Sequence, residues 1–281
     1  MIVDVHSHAW RHPDHFSDEF CEQAARARGG TDIDLTVNYD EYRKTAPDDT
    51  KTIVFGGKAR LGGMWVEDGF IADYVAQDPE HLTGFLSLDP AQEGWQGEMH
   101  YGHLDLNLKG IKLLPMYAGF KPNDQRLLPL WDYAQEHHLP VILHSGTTFI
   151  SQAPLDCTCP RYIDEVAIDF PDVIIVMGHM GHPFENEAVC VARKHRNVYM
   201  DISALYYRPW QFYNSLMLVQ EYGIWGKLFF GSDYPFTTVN ESIAGIRGLN
   251  DMLEGTALPR LDVDEIEAVF NRDTLSILGI G

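Results

Sequence analysis

The chain has 281 residues, 45% of them hydrophobic and 12% aromatic, enough for one large core and close to the roughly 250 residues usual for an α/β barrel. Twenty-one basic against forty-one acidic side chains give a formal charge of -20, which repels phosphate backbones and anionic membranes and sets both aside as partners. The few cysteines, Cys21, Cys157, Cys159 and Cys190, and the lack of a leader or an apolar run near the roughly 18 residues of a membrane span point to a reducing, cytoplasmic setting.

Taken in order, the first predicted strand runs from Ile2 to His6 and leads into Ser7-His8. A period of two puts Asp4, His6 and His8 on one face, and two imidazoles one residue apart can grip a divalent cation. On its own the pair reads equally well as ordinary surface histidines. Residues 9 to 51 follow, with a helical piece from Phe20 to Arg28, and then a strand from Thr52 to Gly56 and a glycine-rich stretch, 57 to 70. Both connections leave the C-terminal ends of strands, where they are either irregular surface or a substrate-selecting lid.

Further strands are expected over Thr83 to Leu88, Gly110 to Leu114, Pro140 to His144, Val173 to Met177, Val198 to Asp201 and Leu228 to Gly231. Helical patterns lie between most of them. One opens at Asp124 and carries Leu127, Leu130, Trp131 and Ala134 at helical spacing. Others cover Arg161 to Phe170, Glu185 to Lys194, Trp210 to Tyr222, Val239 to Leu253 and Val263 to Leu278. Eight continuous-apolar strands alternating with helices predict an α/β fold, a single (β/α)8 TIM barrel over residues 1 to 281 with long loops after its first two strands. No glycine-rich nucleotide-binding motif follows any strand.

Polar ligand types recur where the apolar runs stop. His144 ends the fifth strand, His179 follows the sixth in Gly178-His179-Met180-Gly181, and Asp233 follows the eighth in Gly231-Ser232-Asp233. Each alone is a hydrogen-bonded His or a capping Asp. In a barrel they converge on one mouth with His6 and His8, which favours a metal site over chance. The Cys157-Thr158-Cys159 pair lacks a partner pair and reads as loop.

Asp4-Val5-His6-Ser7-His8, Gly110-Ile111-Lys112-Leu113-Leu114-Pro115, Leu143-His144-Ser145-Gly146, Gly178-His179-Met180-Gly181 and Phe230-Gly231-Ser232-Asp233-Tyr234-Pro235 resemble the amidohydrolase superfamily over essentially the whole chain. More narrowly they resemble its amidohydrolase-related branch, which also holds aminocarboxymuconate-semialdehyde and resorcylate decarboxylases. Phe85-Leu86-Ser87-Leu88-Asp89-Pro90 and Asn197-Val198-Tyr199-Met200-Asp201-Ile202-Ser203 agree with it. The resemblance implies that His6, His8, His144 and Asp233 hold one divalent metal, zinc before others, with His179 bonding the metal-bound water or the substrate. Asp233 and His179 are then the catalytic pair, and Asp4 either orients a ligand or bonds backbone.

Lys112 is open between a carboxylated bridge in a two-metal site and an ammonium that binds substrate. Arg60, Tyr117, Arg161 and Arg208 stand in or beside loops at the strand ends, where an arginine suits a carboxylate-bearing small molecule. Tyr206, Tyr207 and Trp210 fit either a homodimer contact or core packing. The expected activity is hydrolysis of a small ester, lactone or amide. The alternative from the same branch is nonoxidative decarboxylation of an aromatic or unsaturated acid. A barrel nuclease is disfavoured by the charge, and an inactive scaffold by the intact set of strand-end ligands.

Overall fold

A computed structural model describes residues 1–31 and 34–281; residues 32 and 33, within the first long connection, lie outside the described residues. Eight parallel strands form the frame. They are β1 Val3–His8, β2 Lys51–Phe55, β3 in two segments Leu82–Gly84 and Leu86–Leu88, β4 Ile111–Leu113, β5 Val141–Leu143, β6 Ile175–Met177, β7 Val198–Asp201 and β8 Leu228–Phe229. Each pairs in parallel with the next. The step at Phe85 is bridged on both sides, by Phe85 N to Val54 O at 3.0 Å and Leu86 N to Gly110 O at 2.9 Å. The cylinder closes where Val5 N donates to Phe230 O at 2.9 Å and Asp233 N to His6 O at 2.7 Å. It is a (β/α)8 barrel.

Alternation along the strands sorts side chains into two cores. Val3, Val5, Ile53, Phe55, Phe85, Ile142, Val176 and Phe229 fill the interior. Their neighbours Val54, Leu86, Ile111, Leu113, Val141, Leu143, Ile175, Met177 and Met200 face outward under the helices. Lys112, between two outward residues of β4, takes an inward place with only 1% exposure. The C-terminal helix Thr274–Leu278 packs Leu275, Ile277 and Leu278 against the interior cluster and plugs the barrel at its N-terminal end.

Most predicted helices form within a residue or two of their expected bounds, among them Arg161–Asp169, Glu185–Lys194 and Pro209–Tyr222. The stretch from Val263 to Leu278 is two helices, Val263–Phe270 and Thr274–Leu278, because Asn271-Arg272-Asp273 turns the chain toward the barrel opening. The first long connection carries helices Asp18–Ala27 and Tyr39–Lys44. The second forms a short antiparallel hairpin, Lys58–Ala59 with Met64–Trp65. Among the described residues, no helix is long and apolar enough to cross a membrane.

One expectation fails in β1. Asp4 pairs with Thr52 and Ser7 with Val54, so three steps on β1 match two on β2. This bulge breaks the period of two. Asp4 therefore faces outward, while His6 turns inward, its ring 5.0 Å from that of Phe55.

Candidate active site

The C-terminal strand ends open on a cavity of about 830 Å³. His8, His144, His179 and Asp233 line it, with Trp10, Phe20, Tyr117, Phe149, Tyr206 and Phe236 in its walls. Trp10 and Phe20 come from the first long connection, which thus covers the mouth as a lid does.

His6 sits at the floor, its side chain wholly buried. Its Nδ1 lies 2.8 Å from Asp201 Oδ2 at the end of β7. A carboxylate only accepts, so Nδ1 carries the proton and Nε2 presents its lone pair to the site. Asp233 Oδ1 stands 3.6 Å from His6 Nε2 and 3.3 Å from His8 Nε2. His179 Nε2 is 3.1 Å from His144 Nδ1. Two of these residues hold left-handed backbone, His179 at φ 56° and Asp233 at φ 64°. Strained or sparsely used conformations of this kind concentrate at functional sites.

Glycines let the rings approach. A Cβ on Gly146 would stand 2.6 Å from His179 Cδ2 and 3.3 Å from His144 Cε1, and one on Gly231 would stand 2.8 Å from His6 Cβ. The residues after His144 and before Asp233 in the sequence motifs thus make room for the imidazoles themselves.

Burial dominates the electrostatics. It pushes His8 and His144 well below the usual imidazole range and His179 down to about 4. Burial lowers Lys112 to about 7 against the pull of Asp201 and Asp233. It raises Asp233, although His179, His6 and Lys112 beside it pull the other way. Asp201 is the exception: burial would raise it too, but His6, His179 and Ser203 hold it well below the usual carboxylate range.

Among the described residues, one group has the make-up of a metal site: ligand atoms of His6, His179 and Asp233 lie within 4.8 Å of one another. Neutral imidazoles and a carboxylate are a donor set that suits a divalent cation. His8 borders this group through Asp233, whereas His144 meets it through His179. Lys112 Nζ lies 3.0 Å from His6 Nε2, over the Phe55 ring. An ion on that nitrogen must displace the amine or engage it.

Of the four outlying residues, Tyr117 and Arg208 line the cavity. Arg60 and Arg161 are not among its lining residues. The Arg60 guanidinium stacks 3.8 Å over Trp65. Arg161 pairs with Glu187 at the surface. Arg28, unassigned in the sequence, lines the cavity from the end of the lid helix. Asp4 takes the second of its two expected roles and bonds backbone, accepting from His6 N at 3.2 Å. It accepts from Ser232 N at 2.8 Å, Ser232 Oγ at 2.7 Å and Tyr42 Oη at 3.1 Å, pinning the β8 end to β1. Asp201 and Ser203, quoted in a motif but given no role, prove central to the site. A polar residue at the end of β7, matching those of β5, β6 and β8, was the signal for them.

Comparison with solved structures gives full-length matches. An uncharacterised TIM-barrel protein from Bordetella bronchiseptica matches with TM-score 0.72 and 19% identity, over 99% of this chain and 98% of that one. A probable 2-pyrone-4,6-dicarboxylic acid hydrolase from Acinetobacter baumannii, with citric acid bound, matches with TM-score 0.66 and 15% identity, over 99% of each chain. A 5-carboxyvanillate decarboxylase variant from Novosphingobium aromaticivorans, with bound manganese and 3-methoxy-4-hydroxy-5-nitrobenzoic acid, matches with TM-score 0.66 and 13% identity, over 99% and 97%. At these identities the likeness is one of fold. None of the curated proteins compared with the chain matches it in sequence. The family model described as amidohydrolase matches residues 3–272, and the chain belongs to that family.

Proposed function

We propose that this chain, as one catalytic domain over residues 1–281, is a metal-dependent decarboxylase of a small aromatic or unsaturated carboxylic acid. The observation that carries the reading is the make-up of the cavity. Aromatic walls surround a floor of neutral imidazoles and one carboxylate, and Arg28 and Arg208 line it as well. Flat rings suit stacking on a flat substrate, and an arginine suits its acid group. The decarboxylase of like fold, which holds manganese and a nitrobenzoic acid, supports the same class of ligand.

In this reading His6, His8, Asp233 and either His144 or His179 hold the cation, which when bound supplies a Lewis acid for the substrate's oxygens. Zinc is the ion expected from the family resemblance, and manganese the one carried by the decarboxylase of like fold. Lys112 acts as a plain amine against His6. Tyr117 and the lid keep water from the ring. Asp233, a carboxylate beside His6 and His8, relays a proton of solvent origin to the carbon bearing the carboxylate. The carbon–carbon bond then breaks, its electron pair stays with the ring, and carbon dioxide leaves. The four free thiols fit a cytoplasmic enzyme.

Hydrolysis of a lactone or ester is the second reading, favoured by the resemblance to hydrolases and by the same Asp233. The two separate in isotopic water. With carboxylated phenols, and with metal content measured on protein from defined medium, we expect carbon dioxide release and one solvent deuterium at the vacated carbon. Chelation should stop turnover, and Asp233→Asn should stop it in a folded protein. Incorporation of oxygen-18 from water into a lactone-derived product, with no carbon dioxide from any acid, overturns decarboxylation in favour of hydrolysis.

A further inference from the structure

We infer that Asp201 and Ser203 are a positioning pair that fixes the tautomers of His6 and His179, so that both rings turn a bare Nε2 to the site. The inference rests on His6 and His179 belonging to the reaction site, but not on which bond is broken there.

The argument follows the hydrogens. Asp201 is wholly buried and its oxygens divide the work. Oδ2 lies 2.8 Å from His6 Nδ1. Oδ1 accepts from His179 N at 3.0 Å and Ser203 N at 3.1 Å, and from the Ser203 hydroxyl. A serine has one hydrogen to donate, and here it goes to the carboxylate. Ser203 Oγ lies 2.8 Å from His179 Nδ1 and can then only accept there. With the Ser203 carbonyl oxygen also 3.4 Å from Nδ1, two acceptors place the His179 proton there, as Asp201 does for His6. Both are the tautomer that neutral histidine disfavours in water, so the chain has to impose it. His144 then donates from Nδ1 to His179 Nε2 rather than from Nε2 to Thr147 O.

The bond to His179 N does a second task. It anchors the left-handed turn at His179, φ 56° and ψ 32°, from which the ring reaches the cavity. One carboxylate therefore sets the ring of one histidine, the tautomer of another and the backbone that carries it. His6 Nε2 is left toward Asp233 and Lys112, and His179 Nε2 toward His144.

Long-range proton–nitrogen NMR on histidine-labelled protein reads the tautomers directly, before and after dialysis against a chelator, with His179→Gln for assignment. We expect His6 and His179 to carry Nδ1–H in both states. Ser203→Ala, which removes the hydroxyl and keeps only the carbonyl oxygen 3.4 Å from Nδ1, should shift His179 toward a mixture while leaving His6 unchanged, and Ser203→Thr, which keeps the hydroxyl, should restore it. Asp201→Asn should disturb both rings and weaken manganese or zinc binding by about 10–100-fold, the usual effect of losing a ligand's hydrogen-bond partner. An Nε2–H tautomer at either ring in the chelated wild-type protein overturns the inference, and so does a Ser203→Ala spectrum identical to wild type. Neither readout depends on turnover, so failure of the decarboxylase reading leaves this test intact.

Discussion

Gly146 shows how finely single residues set this site. Its missing Cβ leaves the space into which the His179 and His144 rings fit, and a methyl there would meet His179 Cδ2 at 2.6 Å. Gly146→Ala must therefore push one imidazole aside. A displacement near 1 Å costs on the order of 100-fold in rate when it falls on a reacting group. We expect kcat/KM to fall by about that factor, with the circular dichroism spectrum unchanged; wild-type activity would show that the two rings need no fixed spacing. His6, His8, His144, His179 and Asp233 were legible in the sequence because each sits where a short apolar run stops, and strand ends of a barrel share one mouth. Asp201 sits at such a stop as well, but its work is done through hydrogen bonds to His6 and Ser203, which only coordinates reveal. Arg28 closes the helical piece expected in the first long connection, but helical spacing does not tell which way the end of that helix points, so the pattern did not place it over the cavity.

At the scale of elements, the loops are held by charge as much as by packing. Lys58, in the hairpin after β2, is 2% exposed and lies 2.9 Å from both Asp68 Oδ2 and Glu98 Oε2. Asp68 opens the helix Asp68–Val75, and its other oxygen accepts from Ser87 N of β3 at 2.9 Å. The ion pair thus ties the β2 loop to β3 and to the helix that follows it. Lys58→Met would leave the Asp68 carboxylate buried without its partner, a change that costs about 3–5 kcal/mol. Urea unfolding should show this loss, and Lys58→Met with Asp68→Leu should recover much of it; an unchanged midpoint in the single variant would mean that the pair contributes nothing. The same scale explains what the sequence hid. Alternation predicts a regular β1, and no residue in Asp4-Val5-His6-Ser7-His8 announces the bulge that sends Asp4 outward.

For the whole molecule, the barrel divides into an upper half that carries chemistry and a lower half that carries stability. The formal charge of -20 opposes an anionic substrate at long range, so Arg28 and Arg208 in the cavity wall matter as local counter-charges. None of this touches the opposite end, where Leu278, 1% exposed, seals the interior beneath Val3 and Phe229. Open barrel ends expose the interior layer of side chains to water, and the C-terminal helix removes that exposure. Leu278→Ala would both lose apolar burial and leave a void in the interior cluster, together worth about 2–5 kcal/mol. The rings of the site lie at the other end of the cylinder, so the same variant should keep its kcat at temperatures where it remains folded. Denaturant unfolding and steady-state kinetics on one preparation check both halves of the statement. A fall in kcat without a fall in stability would mean that the plug and the active site act as one unit, against the division drawn here.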